Sequence, residues 1–286
     1  MKNKILLVII IVLMSAINAC LAAGTGEFTQ VTPTVRIYSE YYPNENGAFK
    51  GTIIFENGMG CDIDEWKYTP DKQLSLMDYA KSLGSVFAYD RPGEETGSPP
   101  DYSISITNPI TAEYVADNLM QLLKQRNVKP PYILVGHSYG GLFAQYFARK
   151  YPEIVAGVLY VDASTQGQAF SLNSMTEYLE MAKTHNSEYM YKNYPQIAVS
   201  LYMLSGYLLS VQQIDSLPPI SPKIPVIVLE ASDDSLYLPE WHKNHQMLAA
   251  QSLNGKLIVV DSGHFIMFDD PALCREQLRE LIQQVK

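Results

Sequence analysis

Ser138 stands between two glycines in the run Gly136-His137-Ser138-Tyr139-Gly140. An apolar, β-rich stretch, Tyr132 to Val135, leads into it, and helical spacing of apolar residues follows from Leu142 to Tyr151. A tight turn from strand to helix pushes a serine hydroxyl into the open, where it can attack an electrophile. The glycines are expected because a Cβ at Gly136 or Gly140 would clash where strand and helix approach. A serine hydroxyl is a weak nucleophile near neutral pH, so a base must lie within hydrogen-bond reach. Of the five histidines, His264 in Asp261-Ser262-Gly263-His264-Phe265 is best placed, after the last apolar strand and just before the last helix. His137 shares the turn and should point away from the hydroxyl, and His185 lies in a stretch without strands. His242 and His245, three apart on a helix starting near Trp241, read as a solvated face.

The base needs an acid that accepts the other imidazole N–H and fixes the tautomer. Val226 to Leu229 reads as a strand, with Glu230-Ala231-Ser232-Asp233-Asp234 beyond it. Asp234 is favoured, Asp162 at the end of Val158 to Val161 is the alternative, and Asp233 is a third choice. Negative charge developing on a substrate oxygen requires two preorganised amides. Tyr139 N–H is one. The other is expected from Glu56-Asn57-Gly58-Met59-Gly60, where flanking glycines let Met59 present its backbone. A neutral His264 with the ordinary imidazole pKa would give activity that rises through about pH 6.5.

These residues fall in turns after β-rich runs at Thr34 to Tyr38, Gly51 to Phe55, Val86 to Tyr89, Tyr132 to Val135, Val158 to Val161, Val226 to Leu229 and Leu257 to Val260. Helical patterns lie between and after them, at Ala112 to Arg126, Leu142 to Tyr151 and Leu273 to Val285. Alternation of this kind predicts a mainly parallel sheet flanked by helices, with its site at the carboxyl ends of the strands. Between Asp162 and Pro225 the rhythm breaks for about sixty residues rich in Tyr and Met. So long a structureless loop is out of keeping with a compact domain, so a helical lid is expected at about 163–222.

The chain has 286 residues, 47% of them hydrophobic and 18% charged, and a formal charge of −9. That suits one globular domain and argues against nucleic acid as a partner. Residues 1–23 carry Lys2 and Lys4, an apolar run from Ile5 to Met14, and small residues thereafter, the layout of an export signal. Cleavage after Ala22 or Ala23 is one reading. The other is a lipobox at Ile17-Asn18-Ala19-Cys20, which leaves Cys20 lipidated and makes the anchor the sole membrane contact. Both predict a periplasmic or secreted domain, residues 24–286. Cys61 and Cys274 read as buried thiols, without the spacing of a metal site, and no cofactor or metal is expected.

Taken together, Gly-His-Ser-Tyr-Gly-Gly, Ser-Gly-His-Phe, Ala88-Tyr89-Asp90-Arg91-Pro92-Gly93, and Glu56-Asn57-Gly58-Met59-Gly60 followed by Trp66 resemble the α/β-hydrolase superfamily, in its esterase/lipase-like branch. The resemblance covers about Thr34 to Val285. It implies an α/β-hydrolase fold and cleavage of a carboxylic ester of a small hydrophobic substrate through an acyl-enzyme. Amidase, C–C hydrolase, perhydrolase or acyltransferase chemistry uses the same residues, and a non-catalytic binding protein could share the fold. The usual His-Gly is here Asn57-Gly58, and the usual Gly-x-Gly-x-Ser is altered to Gly93-Glu94-Glu95-Thr96-Gly97-Ser98. Asp90 and Arg91 read as a link within their loop, and Trp66 as core packing.

Overall fold

A computed structural model describes residues 26–94, 98–168, 175–237 and 239–285. The expected export signal with Cys20, the segment Glu95 to Gly97 and part of the insertion lie outside the described residues. Strand β1 (Glu27–Gln30) pairs antiparallel with β2 (Arg36–Tyr42), and β2 pairs antiparallel with β4 (Ser85–Tyr89). The parallel part runs through β4, β3 (Thr52–Glu56), β5 (Tyr132–His137), β6 (Val155–Val161), β7 (Val226–Ala231) and β8 (Lys256–Val260), giving the order β1-β2-β4-β3-β5-β6-β7-β8.

The inner parallel strands β3 to β7 read as apolar runs because both sheet faces are covered there. Alternate residues supply the two faces. Ile54, Leu134, Val158 and Val228 pack in one core with α2 (Ala112–Gln125) and α3 (Tyr139–Lys150). Ile53, Ile133, Leu159 and Ile227 pack in the other with α1 (Leu76–Leu83) and α11 (Pro271–Gln284). Side-chain caps fix where these helices begin: Ser75 accepts from Asp78 N–H, Thr111 from Tyr114 N–H and Asp270 from Leu273 N–H.

The long insertion is helical: α4 (Thr176–Thr184), α5 (Ser187–Asn193), α6 (Pro195–Ser205) and α7 (Tyr207–Asp215). Gly206 separates α6 from α7 where a Cβ would lie 2.0 Å from the Ile110 carbonyl oxygen, so only glycine permits that approach. Tyr139 OH donates to Met203 O at 2.8 Å, tying α6 to the residue after Ser138. After β7 come α8 (Ser232–Tyr237) and α9 (Pro239–Ala249), and α10 (Ile266–Asp269) follows β8. Among the described residues no single helix is long and apolar enough to cross a membrane. Cys61 and Cys274 are buried and are not joined in a disulfide among the described residues.

Candidate active site

Ser138 occupies the N-cap position of α3 with φ 50° and ψ −126°, a conformation that costs a non-glycine residue strain. A serine at an N-cap ordinarily accepts from the first helical turn. Ser138 makes no such capping bond. Its Oγ instead lies 2.8 Å from His264 Nε2. The turn needs its glycines, Gly140 because α3 approaches the end of the neighbouring strand β3 rather than of its own. A Cβ there would sit 2.3 Å from Asn57 O and 2.4 Å from Glu56 O, the carbonyls ending the adjacent strand β3. Gly136 does face the helix, 2.9 Å from Gly141 Cα.

His264 Nδ1 meets two carboxylates, Asp162 Oδ2 at 2.6 Å and Asp234 Oδ2 at 2.8 Å. Asp162 is fully buried at the end of β6, and its Oδ1 accepts from Ala231 N–H (2.9 Å) and Trp241 Nε1–H (2.7 Å). Asp234 opens α8 and its side chain is 25% exposed, so it is less firmly held. Asp233 is exposed, with its backbone N–H directed to Ser262 O. Burial lowers the proton affinity of His264, but hydrogen bonds and charge from Asp162 and Asp234 outweigh it and raise the pKa to about 10. The expectation of an ordinary imidazole pKa at His264 is therefore corrected upward, because two carboxylates rather than one face the ring. Burial raises the Asp162 carboxyl above the ordinary range against the pull of His264. Burial also opposes ionisation of Asp234, yet its bond to His264 brings its pKa below the ordinary value. The three side chains could also hold a metal ion, since their ligand atoms lie within 4.8 Å of one another.

The turn after β3 is tied from several sides. Arg91, fully buried, donates from Nη1 to Asn57 O (2.9 Å) and from Nη2 to Gly58 O (2.6 Å), and pairs with Glu56 and Glu94. Arg91 thus anchors the neighbouring turn and does more than link its own loop. Asp90 Oδ1 reaches out too, accepting from Ile63 N–H at 2.8 Å. Asn57, in place of the usual histidine, donates to Tyr89 O and accepts from Trp66 Nε1–H, both at 3.0 Å. Trp66 therefore orients the turn as well as filling the core. Glu65 Oε1 accepts from Gly58 N–H at 2.7 Å. With these groups engaged, the Met59 amide has no acceptor among the described residues. Tyr139 N–H opens α3, at the positive end of the helix dipole.

Two buried histidine–carboxylate pairs brace this arrangement. His137 turns away from the hydroxyl, with Nδ1 3.1 Å from Glu65 Oε2 and Nε2 3.2 Å from the His264 carbonyl oxygen. Glu65 thereby joins the Gly58 turn to the loop carrying His264. His245 is completely buried, not part of a solvated face: Nδ1 lies 3.0 Å from Glu230 Oε2 and Nε2 2.8 Å from Ala163 O. His242 Nδ1 meets the other Glu230 oxygen at 2.9 Å with its ring partly exposed. Ala163 follows Asp162, so His245 steadies the loop that carries Asp162. Glu65, Trp241 and the Glu230–His245 pair escape sequence reasoning. The short spacing from Trp241 to His245 gives no sign that one meets Asp162 and the other Glu230.

A model of the alpha/beta hydrolase family matches residues 53–277. The uncharacterized protein YqjL of Bacillus subtilis is 26% identical over 236 residues, covering 80% of this chain and 82% of YqjL. An uncharacterized protein of Schizosaccharomyces pombe, C23C11.06c, is 26% identical over 54% of this chain, which spans only 31% of that longer protein. Among solved structures, Cfl2 of Burkholderia cenocepacia superposes with TM-score 0.67 at 19% identity, covering 90% of this chain and 95% of Cfl2. A thermophilic esterase of Thermogutta terrifontis superposes with TM-score 0.62 at 18% identity, covering 91% of this chain and 99% of the esterase. The sheet order and the family match agree: the chain belongs to the alpha/beta hydrolase family.

Proposed function

We propose that this protein is a serine hydrolase that cleaves a carboxylic ester of a small hydrophobic molecule through an acyl-enzyme on Ser138. The observation that carries the reading is the 2.8 Å approach of His264 Nε2 to Ser138 Oγ, with carboxylates on Nδ1. In the first step Ser138 Oγ attacks the carbonyl carbon while its proton passes to His264 Nε2. The oxyanion settles against the amides of Tyr139 and Met59. Asp162 holds the ring and, with Asp234, stabilises the imidazolium. His264 then gives the proton to the leaving alcohol oxygen, the C–O bond breaks, and the acyl group remains on Ser138. Water repeats the cycle with His264 again as base, releasing the carboxylic acid. An insertion whose buried residues include Met190, Tyr191, Tyr202 and Met203 supports an apolar, adaptable pocket beneath a lid. One structural neighbour, Est816, is described as an N-acyl homoserine lactone degrading enzyme, and a lactone is an ester of the same reactivity. The layout of residues 1–23 supports export, with cleavage after Ala22 or Ala23, or lipidation at Cys20.

The test is hydrolysis of alkyl esters of increasing acyl length by the mature protein and its Ser138→Ala variant. Turnover that favours medium apolar acyl groups and falls by about 10⁴–10⁶ in the variant is expected. Turnover retained in Ser138→Ala would overturn the reading.

A further inference from the structure

Away from Ser138 a cavity of about 410 Å³ opens between α3, α7, α9 and the loop after Asp162. Gln145 and Arg149 line it, and they lie seven and eleven residues beyond Ser138 on α3. At 1.5 Å per residue that places them about 10–16 Å along the helix from the nucleophile, so the cavity is a separate compartment. Four polar atoms of its lining side chains are buried without a hydrogen-bond partner among the described residues: Gln145 Oε1, Arg149 Nε, Thr165 Oγ1 and Asn244 Nδ2. Gln145 is 1% exposed and Thr165 4%. An unmet buried polar group costs about 1–3 kcal/mol, so four around one space point to something that satisfies them.

The chemistry of the four is specific. Arg149 spends its terminal nitrogens on neutral oxygens, Ile214 O at 3.0 Å and Gln251 Oε1 at 3.1 Å. No acidic side chain hydrogen-bonds to it among the described residues, and its Nε–H is unmet. A half-buried guanidinium whose hydrogen bonds all go to neutral oxygens has room for an anion. Asn244 Nδ2 and Thr165 Oγ1 add two more donors, whereas Gln145 Oε1 needs a donor in return. Val211 and Leu248 supply an apolar wall. Asp215, exposed at the rim, accepts from Gln166 Nε2 at 3.4 Å and acts on Arg149 through its charge, but burial outweighs that charge and lowers the proton affinity of the guanidinium.

We propose that this cavity is a second ligand site, taking a small carboxylic acid that carries a hydroxyl or amide N–H and an apolar group. The carboxylate lies against Arg149, Asn244 and Thr165, the ligand's donor meets Gln145, and its apolar part lies on Val211 and Leu248. Thr165 is three residues from Asp162, and Asn244 shares α9 with Trp241, which holds Asp162. An occupant therefore touches two elements that position the acid facing His264.

The probe is mandelate, which joins a carboxylate, a hydroxyl and a phenyl ring, with mandelamide as its uncharged counterpart. Binding is followed by calorimetry on the mature protein, on Ser138→Ala, and on wild type blocked at Ser138 by a fluorophosphonate. Saturable binding of equal affinity in all three is expected. It should weaken at least tenfold in Arg149→Gln and for mandelamide. Because Arg149→Gln also gives up two structural bonds, Thr165→Val serves as the second variant. It removes a hydroxyl that has no partner, so it should melt no lower than wild type and still weaken mandelate several-fold. No saturation below about 10 mM would overturn the proposal and leave a cavity that holds water only. Binding that disappears when Ser138 is blocked, or that is unchanged in both cavity variants, would overturn it as well. Binding is measured without turnover, so failure here and failure of the hydrolase reading remain distinguishable.

Discussion

Replacing Asp234 by asparagine should move the pH range of activity rather than abolish it. His264 Nδ1 faces Asp162 at 2.6 Å and Asp234 at 2.8 Å. Burial acts against the imidazolium, but the two carboxylates prevail and hold the pKa at about 10 against an ordinary 6.5. A base must be neutral, so at pH 7 about one molecule in a thousand carries a competent His264. Wild-type kcat/KM should accordingly rise about tenfold per pH unit from neutrality and level off near pH 10. Removing one opposite charge at this range lowers a pKa by about 1–3 pH units, so the rising limb of Asp234→Asn moves to lower pH by that amount. The same charge stabilises the imidazolium of the transition state, so the plateau falls too. With about half of the effect expressed there, a shift of two pH units lowers the plateau about tenfold and raises the rate at pH 7 about tenfold. The two profiles should cross. Asp162→Asn behaves differently, because Asp162 also accepts from Ala231 N–H and Trp241 Nε1–H and so fixes the ring. It should lose about 10³–10⁴ at every pH. The assay is kcat/KM for a short alkyl ester from pH 6 to 11 in a pH-stat. A wild-type limb centred near 6.5, or an Asp234→Asn limb that coincides with wild type, would refute the two-carboxylate reasoning.

Three further outcomes follow from the surroundings of the site. Glu65→Ala frees Gly58 N–H and His137 together and should lower kcat about a hundredfold with KM nearly unchanged, with partial recovery in Glu65→Gln; an equal rise in KM would argue for a collapsed pocket instead. Gly140→Ala drives a Cβ into the Asn57 and Glu56 carbonyls and should cost about 3 kcal/mol in urea unfolding; wild-type stability would contradict the close approach. Arg91→Met leaves the buried carboxylates of Glu56 and Glu94 without their cation and should cost about 3–5 kcal/mol. Burial already raises Glu56 to about 7, so its proton stabilises the fold fully below about pH 4.5 and that contribution is lost as pH rises through 7. The loss in Arg91→Met should therefore be larger at pH 8 than at pH 5.

Strands β3 to β7 were legible in sequence because burial on both faces makes each a compact apolar run, and edge strand β8 because Leu257 to Val260 is apolar although only Val260 is buried. Strand β1 was not, since Glu27–Gln30 is polar and mostly exposed, with Phe28 42% exposed, so nothing in its composition marks an edge strand. The strand-to-helix turn at Ser138 was legible because its signal is local: strand, glycine, serine, glycine, helix. The acid was not resolved by sequence, for a physical reason. Adjacent parallel strands β6 and β7 both end beside His264, and each delivers an aspartate to the same nitrogen. The bracing pairs were illegible because they join distant segments: Glu65 and His137 are 72 residues apart, and His245 and Ala163 are 82 apart. Helical spacing alone made His245 look exposed, whereas Glu230, pointing from β7 into the same space, draws it inward.

The most direct measurement of the central claim is labelling of the purified mature domain with a fluorophosphonate at pH 9, the modified peptide being mapped by mass spectrometry beside Ser138→Ala. The account predicts a single modified residue, Ser138, with labelling absent in the variant and about a hundredfold slower at pH 7, where His264 is mostly protonated. A folded protein that remains unlabelled at pH 9, or that is labelled at another serine, would contradict it.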